Sequence, residues 1–494
     1  MKTPSQRSAW LILFGLMACQ TLFWTLIPSL THISMPLDVV EGLAWGHEWQ
    51  WGYYKHPPLP SWLLEASFTA LGDVGPFLLS QLTISLAYFF VFLLAKEIYD
   101  TRRALIGTAL LTGVYYFSLP TPEYNHNIAQ IPLWAAGIFF FYKALQTRAL
   151  LWWFCLGTAL GLGLLTKYSV LVLMAVIGLY LLLSKQHRNM LLSFGPYLAL
   201  AITLLVITPH IQWLIDHDFL PFRYVEKRAG MAMVLWLRPI ASIKFLSAQL
   251  ADHLPMLIIL VTAGLYRKSS ISSRNSTLSQ TDRRFLLAFG LGPVLLVSLV
   301  PLFTGMGLRS MWGTPLFTLS GLLIVSLLPV DQENVKIKRF TYAVIALLVT
   351  MPMAYGAKAL YGWKIAKKAN RLEWPDQEIT QRMMYNWNSN NKNCPLKIVG
   401  GSDWLGGMIS LRAEKRPSLL FDGNFEISPW ITPEQVQQHG ALLVWKVKND
   451  QPSIPEAFKA LPGFALGGME SFNWPRAGTK FAPLTLGWGM VPCG

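Results

Sequence analysis

Residues 35–64 read MPLDVVEGLAWGHEWQWGYYKHPPLPSWLL, directly after the first long apolar run of the chain. Asp38, Glu41, His47, Glu48, Lys55 and His56 crowd into this stretch, with Trp45, Trp49 and Trp51 among them. A carboxylate at the edge of an apolar phase loses part of its hydration, which raises its pKa and its basicity. That suits a general base taking a proton from a sugar or alcohol hydroxyl. A cation close by suits an anionic phosphate. Asp38 and Glu41 stand three residues apart and share one helical face. A blander account fits as well: Asp38 caps the helix that it begins, and Lys55 only reaches up to the headgroups.

Further along, PTPEYNHNIAQ (120–130) offers Glu123, Asn125, His126, Asn127 and Gln130, whose amides both donate and accept hydrogen bonds, as sugar hydroxyls require. Lys167 lies between two apolar runs, where a cation is rare and usually functional. Arg223, Lys227 and Arg228 form a basic run, and Arg309 stands in a Gly-rich turn. Each could meet a phosphate, or merely a lipid headgroup. His210, His217 and Asp218 lack the helical spacing of a metal-ligand set, and there is no His-Glu-x-x-His motif and no Gly-rich loop ending in Lys-Ser/Thr. No cofactor is therefore expected, and no divalent metal is indicated.

These residues must be held by membrane helices. Of 494 residues 53% are hydrophobic and only 14% charged, against about 25% charged in soluble domains. The pattern predicts a polytopic α-helical membrane protein with about eleven spans: 9–29, 76–95, 105–119, 128–145, 151–165, 169–184, 190–208, 239–265, 285–303, 311–328 and 340–357. Gly157 and Gly161 are spaced for close helix packing. Between the first two spans, Pro36 and Pro57-Pro58 delimit two short interfacial helices, 38–50 and about 60–71. The net charge of +15 fits Lys and Arg gathered in alternate, cytoplasmic loops better than nucleic-acid binding, for which no motif appears. The N-terminus is then cytoplasmic and the first loop, with everything beyond about 358, is outside.

Beyond residue 360 the composition changes. Short apolar runs such as LKIVGG, PSLLFDG and GALLVWKV alternate with turns and predict a small extracytoplasmic α/β domain over 361–494, following a membrane domain over 1–360 that includes the loop at 36–71. In an oxidising compartment Cys394 and Cys493 are expected to pair, whereas Cys19 and Cys155 fall in apolar segments.

The motif LD, a short helix with Gly and Trp, then YYKHPPLPSWLLE resembles the first external loop of the GT-C superfamily of glycosyltransferases. The resemblance points to the branch of protein O-mannosyltransferases and of bacterial transferases that add aminoarabinose to lipid A (glycosyltransferase family 39). GLGLLTKYSVLVL (161–173), TPHIQWLIDHDFLPFRY (208–224) and GLRSMWGTPLFTLSGLL (307–323) are similar to later family segments in the same order, so that the likeness covers about 1–330. It implies inverting transfer of a sugar from a polyprenyl-phosphate carrier to lipid A, a glycan or a protein, on the periplasmic side of the bacterial inner membrane. Asp38 takes the place of the family's catalytic acid as general base. Glu41 is the nearest second acid, because Val39 stands where the family often has Glu. The family's Lys before Pro-Pro is His56 here, with Lys55 one position earlier, so either can serve the phosphate. Lys55, His56, Lys167, Arg228 and Arg309 become donor-phosphate candidates, and Tyr54, Glu123, Asn125, His126 and Asn127 sugar or acceptor contacts. Membrane lipids are the other expected partners. A polymerase or ligase of lipid-linked glycans, and a transporter or flippase of them, are the competing readings.

Overall fold

The computed structural model describes residues 5–229, 233–265, 278–327, 334–447 and 453–494. The chain separates into two compact units. One comprises 1–26, 55–59 and 77–353, the other 27–54, 60–76 and 354–494.

The first unit is helical. At about 1.5 Å per residue some 20 apolar residues cross a hydrocarbon core. Among the described residues six helices are long and apolar enough by that measure: Gln6–Thr31, Leu59–Ile98, His126–Thr147, Phe194–Asp216, Gln280–Thr304 and Lys336–Lys364. The count becomes eight if two bent pairs each make one span. Leu235–Asp252 meets Leu254–Ala263 at 43°, where a proline opens the second helix, and Ser310–Phe317 meets Ser320–Leu327 at 63°. Leu150–Leu164 and Val170–Leu183 are apolar but shorter. The eleven expected spans are therefore not all continuous helices of spanning length.

The clearest departure is 105–119. The helix there ends at Leu110 and the chain continues in two 3-10 turns, 111–113 and 115–117. Leu110, Leu111, Val114, Tyr116 and Phe117 are buried. A Cβ on Gly113 would come within 2.6 Å of the Met256 backbone, so the segment is apolar because protein covers it. An apolar run of this length does not by itself distinguish a buried segment from a span. Gly157 and Gly161 do serve packing: Cβ atoms there would meet Ala199 O at 2.4 Å and Val206 Cβ at 2.7 Å on the helix Phe194–Asp216.

The second unit is built on a five-stranded sheet, β1 (Ile398–Gly401), β2 (Ser418–Phe421), β3 (Ala441–Lys446), β4 (Ala465–Phe472) and β5 (Leu484–Val491), in the order β2-β1-β3-β5-β4. The first three strands are parallel; β3–β5 and β5–β4 are antiparallel. Parallel neighbours need crossovers, supplied by the helices Leu405–Arg412 and Pro433–His439. The runs LKIVGG, PSLLFDG and GALLVWKV are the three parallel strands, buried nearly throughout, which is why they read as unbroken apolar stretches. Cys394 and Cys493 are joined by a disulfide, their Cα atoms 6.7 Å apart. Residues 27–54 and 60–76 group with this unit, whereas 55–59 group with the helices, and helix Leu37–His47 packs on helix Leu405–Arg412 and on β2.

Candidate functional site

In the helical unit several candidates converge on the short helix His126–Ala129. Asn125 caps it, its Oδ1 accepting from Asn127 N at 2.9 Å and Ile128 N at 3.2 Å. The cap turns His126 and Asn127 inward, and both are buried. His126 Nε2 lies 3.3 Å from the Pro57 carbonyl, to which it donates, and its ring centroid is 4.1 Å from that of His56. Lys167 Nζ donates to Asn127 Oδ1. Lys55 Nζ stands 5.7 Å from the Tyr224 ring centroid. The 55–59 segment is fixed to the helical unit by Leu59 N donating to Leu165 O at 3.0 Å, so Pro57-Pro58 present Lys55 and His56 beside the turn that carries Lys167. The 3-10 turn that follows Arg309 packs on the same short helix, with Asn127 Nδ2 3.7 Å from Met311 Sδ. Arg309 itself is exposed. Glu123 is half-buried in the turn just before. The side chain of Arg228 lies outside the described residues.

Three further members join them: Tyr168, which sequence reasoning missed, His210, and Gln130, which it had named. Tyr168 OH and His210 Nε2 are 2.8 Å apart, and Tyr168 also stacks on Phe222 at 5.1 Å. Gln130 Oε1 accepts from Ser169 Oγ at 2.6 Å, while its buried Nε2 has no partner among the described residues. His210 drew notice only as a metal candidate. Among the described residues no group of three or more His, Cys, Asp or Glu gathers closely enough to hold a metal ion. His217 stacks on Trp213 at 4.3 Å.

In the other unit, Asp38 occupies the first turn of helix Leu37–His47. The residue at the N-cap of this helix is Pro36, which makes no side-chain cap hydrogen bond, so Asp38 is not the N-cap residue. Asp38 is half-buried and Glu41 buried. Tyr54, expected at the sugar, is half-buried in an aromatic cluster, 5.8 Å from Trp45 and 5.7 Å from Phe421. At the end of the helix, burial pushes the Glu48 carboxyl above its usual range, and the Glu65 charge adds to that. A hydrogen bond from Ser418 and the charges of His47 and Arg416 offset it in part. Trp49 and Trp51 remain exposed, as suits a headgroup zone.

The chain's relatives are glycosyltransferases. Residues 55–213 match the family described as dolichyl-phosphate-mannose-protein mannosyltransferase, an interval that holds Lys55, His56, His126, Asn127, Lys167 and His210. The lipopolysaccharide core galacturonosyltransferase RgtB of Rhizobium johnstonii is 25% identical over 468 residues, 92% of this chain and 91% of the relative. The lipid A galacturonosyltransferase RgtD of the same organism is 23% identical over 59% of this chain and 60% of its own. The crystal structure of ArnT from Cupriavidus metallidurans bound to undecaprenyl phosphate shares the fold, with a TM-score of 0.62 at 12% identity over 97% of this chain and 98% of that one. Sugar transfer thereby displaces the transporter reading: the chain is a glycosyltransferase, and the resemblance to the GT-C glycosyltransferases expected from its first loop is borne out.

Proposed function

We propose that the protein moves a sugar from a polyprenyl phosphate onto lipid A or the lipopolysaccharide core, at the periplasmic face of a bacterial inner membrane. The observation that carries this reading is the cationic cluster of the helical unit: Lys167 held on buried Asn127, beside the His126–His56 pair, with Lys55 on the same segment as His56. Cations on a rigid frame, in a stretch that matches a prenyl-phosphate sugar transferase family, suit a phosphate that leaves as an anion. ArnT has been crystallised with undecaprenyl phosphate, and the named relatives act on lipid A and on the lipopolysaccharide core, which supports both donor and acceptor class. The Cys394–Cys493 bridge supports an oxidising, extracytoplasmic location for 361–494, and Lys and Arg in the alternate loops support a cytoplasmic N-terminus.

In this mechanism Asp38 takes the proton of the acceptor hydroxyl, with Glu41 beside it on the same helix. The freed oxygen forms its bond to the anomeric carbon from the face opposite the phosphate, so the configuration inverts. The carbon–oxygen bond to the phosphate breaks, and its electron pair leaves with polyprenyl phosphate, whose charge Lys55, His56, Lys167 and Arg309 receive. Asn125, His126, Asn127 and Glu123 bind sugar hydroxyls. General-base assistance contributes about 10²–10⁴-fold in rate. Asp38→Asn, purified into lipid nanodiscs and assayed with a polyprenyl-phosphate sugar, is therefore expected to lose about that factor in kcat and still bind polyprenyl phosphate. Turnover near that of the unaltered enzyme removes Asp38 as the base. Mass spectrometry of lipid A and core from a deletion strain identifies the sugar added.

A further inference from the structure

The helix that carries Asp38 has eleven residues, Leu37–His47, too few to persist alone in water. Its fixity must come from what it packs against. Val39 to Gly46 are all buried. A Cβ on Gly407, in the helix after β1, would meet Val40 Cγ1 at 2.7 Å, so these two helices approach closely. The tie at the other end is a single guanidinium from the turn before β2. Arg416 Nη1 donates to Glu65 Oε1 at 2.7 Å, on the second helix of the loop, and Arg416 Nη2 donates to the Leu43 carbonyl at 3.2 Å, on the Asp38 helix itself. Its carbon Cζ lies 5.1 Å from the centroid of the Phe68 ring. Glu65 also sits 3.7 Å from His47 Nδ1. The Arg416 and Glu65 side chains are 17% and 8% exposed, so water does little to screen the pair.

The backbone strengthens the case. Arg416 has a φ of +45°, the left-handed region that a residue with a Cβ enters only where its surroundings compel it. Four residues earlier Arg412 bridges Asp376 at 2.8 Å and Asp73 at 2.8 Å, the latter just beyond the second loop helix. Both loop helices are thus anchored through arginines of the C-terminal domain.

We propose that Arg416 is a positioning residue for sugar transfer: by joining Glu65 to the Leu43 carbonyl it clamps both helices of the first loop onto the C-terminal domain and fixes the helix that presents Asp38. This assigns the C-terminal domain a part in catalysis, and it rests on Asp38 being the base. A catalytic group displaced by about 1 Å can lose on the order of 10²-fold in rate without loss of substrate binding. In the full-length enzyme in nanodiscs, Arg416→Ala is expected to lower kcat tenfold to a hundredfold with the donor KM within twofold. Arg416→Lys, which keeps the charge but not the fork, is expected to recover part of the loss. Asp38→Asn combined with Arg416→Ala is expected to be no slower than Asp38→Asn alone, because the clamp acts only through that carboxylate. If Arg416→Ala fails to accumulate, Glu65→Gln is read in the same way. Unaltered kcat in these variants, a loss carried by donor KM, or a further loss in the double variant each overturns the clamp. Asp38→Asn alone separates the two ideas: if it turns over normally the base assignment fails, whereas an inactive Asp38→Asn beside a fully active Arg416→Ala removes only the clamp.

Discussion

Lys167 shows how much of a side chain's task its surroundings decide. An ammonium has three donors, and one goes to Asn127 Oδ1, whose amide is itself buried and set by the Asn125 cap. The side chain is neither buried nor fully exposed, so it can meet an anion without the full cost of desolvating a lone charge. Hydrogen bonds to charged groups contribute about 1.5–3 kcal/mol, roughly ten- to a hundredfold in an equilibrium constant. Lys167→Met keeps the unbranched stem and removes the charge. Steady-state kinetics with the polyprenyl-phosphate sugar should show the donor KM raised by about that factor and kcat changed less; an unaltered donor KM would assign Lys167 to packing alone. Lys167 was legible in the sequence because a lysine between two apolar runs is conspicuous. The pairing of Tyr168 with His210 was not, since 42 residues separate them and nothing in either local context marks it. Arg416 is hidden more deeply: its partner Glu65 lies 351 positions earlier, and nothing in either local context marks the pair.

Helices longer than about twenty apolar residues declared themselves, and so did the two short helices between prolines, found at Leu37–His47 and Leu59–Leu71 close to the expected 38–50 and 60–71. Breaks within apolar stretches did not, because hydropathy registers the absence of water and lipid tails and protein interior are alike in that respect. Close helix contacts are decided by glycines whose spacing is only partly informative. A Cβ on Gly46 would fall 2.2 Å from the Ser61 carbonyl and 2.8 Å from Glu65 Cβ, whereas one on Gly15 would meet nothing within 4 Å. Both lie in helices, where alanine is favoured over glycine by about 1 kcal/mol. Overpacking costs about 1–3 kcal/mol, and the clash at Gly46 is with backbone, which yields least. Gly46→Ala should therefore lower the temperature of half-inactivation and Gly15→Ala should leave it level or raise it. Equal behaviour of the two would mean that the loop helices are free to separate.

The chain as a whole is divided differently from the way its composition suggests. A change of composition near residue 360 marks where apolar helices give way to mixed sequence, and it is linear. Compactness is not: residues 27–54 and 60–76 fold with 354–494, so the helix that carries Asp38 belongs to the same compact unit as the sheet. With Asp38 as the proposed base, that coupling makes the disulfide matter for catalysis although it lies in a distant part of the sequence. Cys394 and Cys493 are 99 residues apart, and closing a loop of that length removes unfolded-state entropy equivalent to about 4–5 kcal/mol in the chain-entropy treatment. In a unit of this size 1 kcal/mol moves a midpoint by about 2–4 °C. Cys394→Ser with Cys493→Ser, or mild reduction with thiol titration to confirm opening, is then expected to lower the inactivation temperature by on the order of 10 °C while leaving kcat at low temperature near that of the intact enzyme. If the sheet domain melted early in these variants but transfer survived to the original temperature, the Asp38 helix would be held by something other than the unit in which it is found.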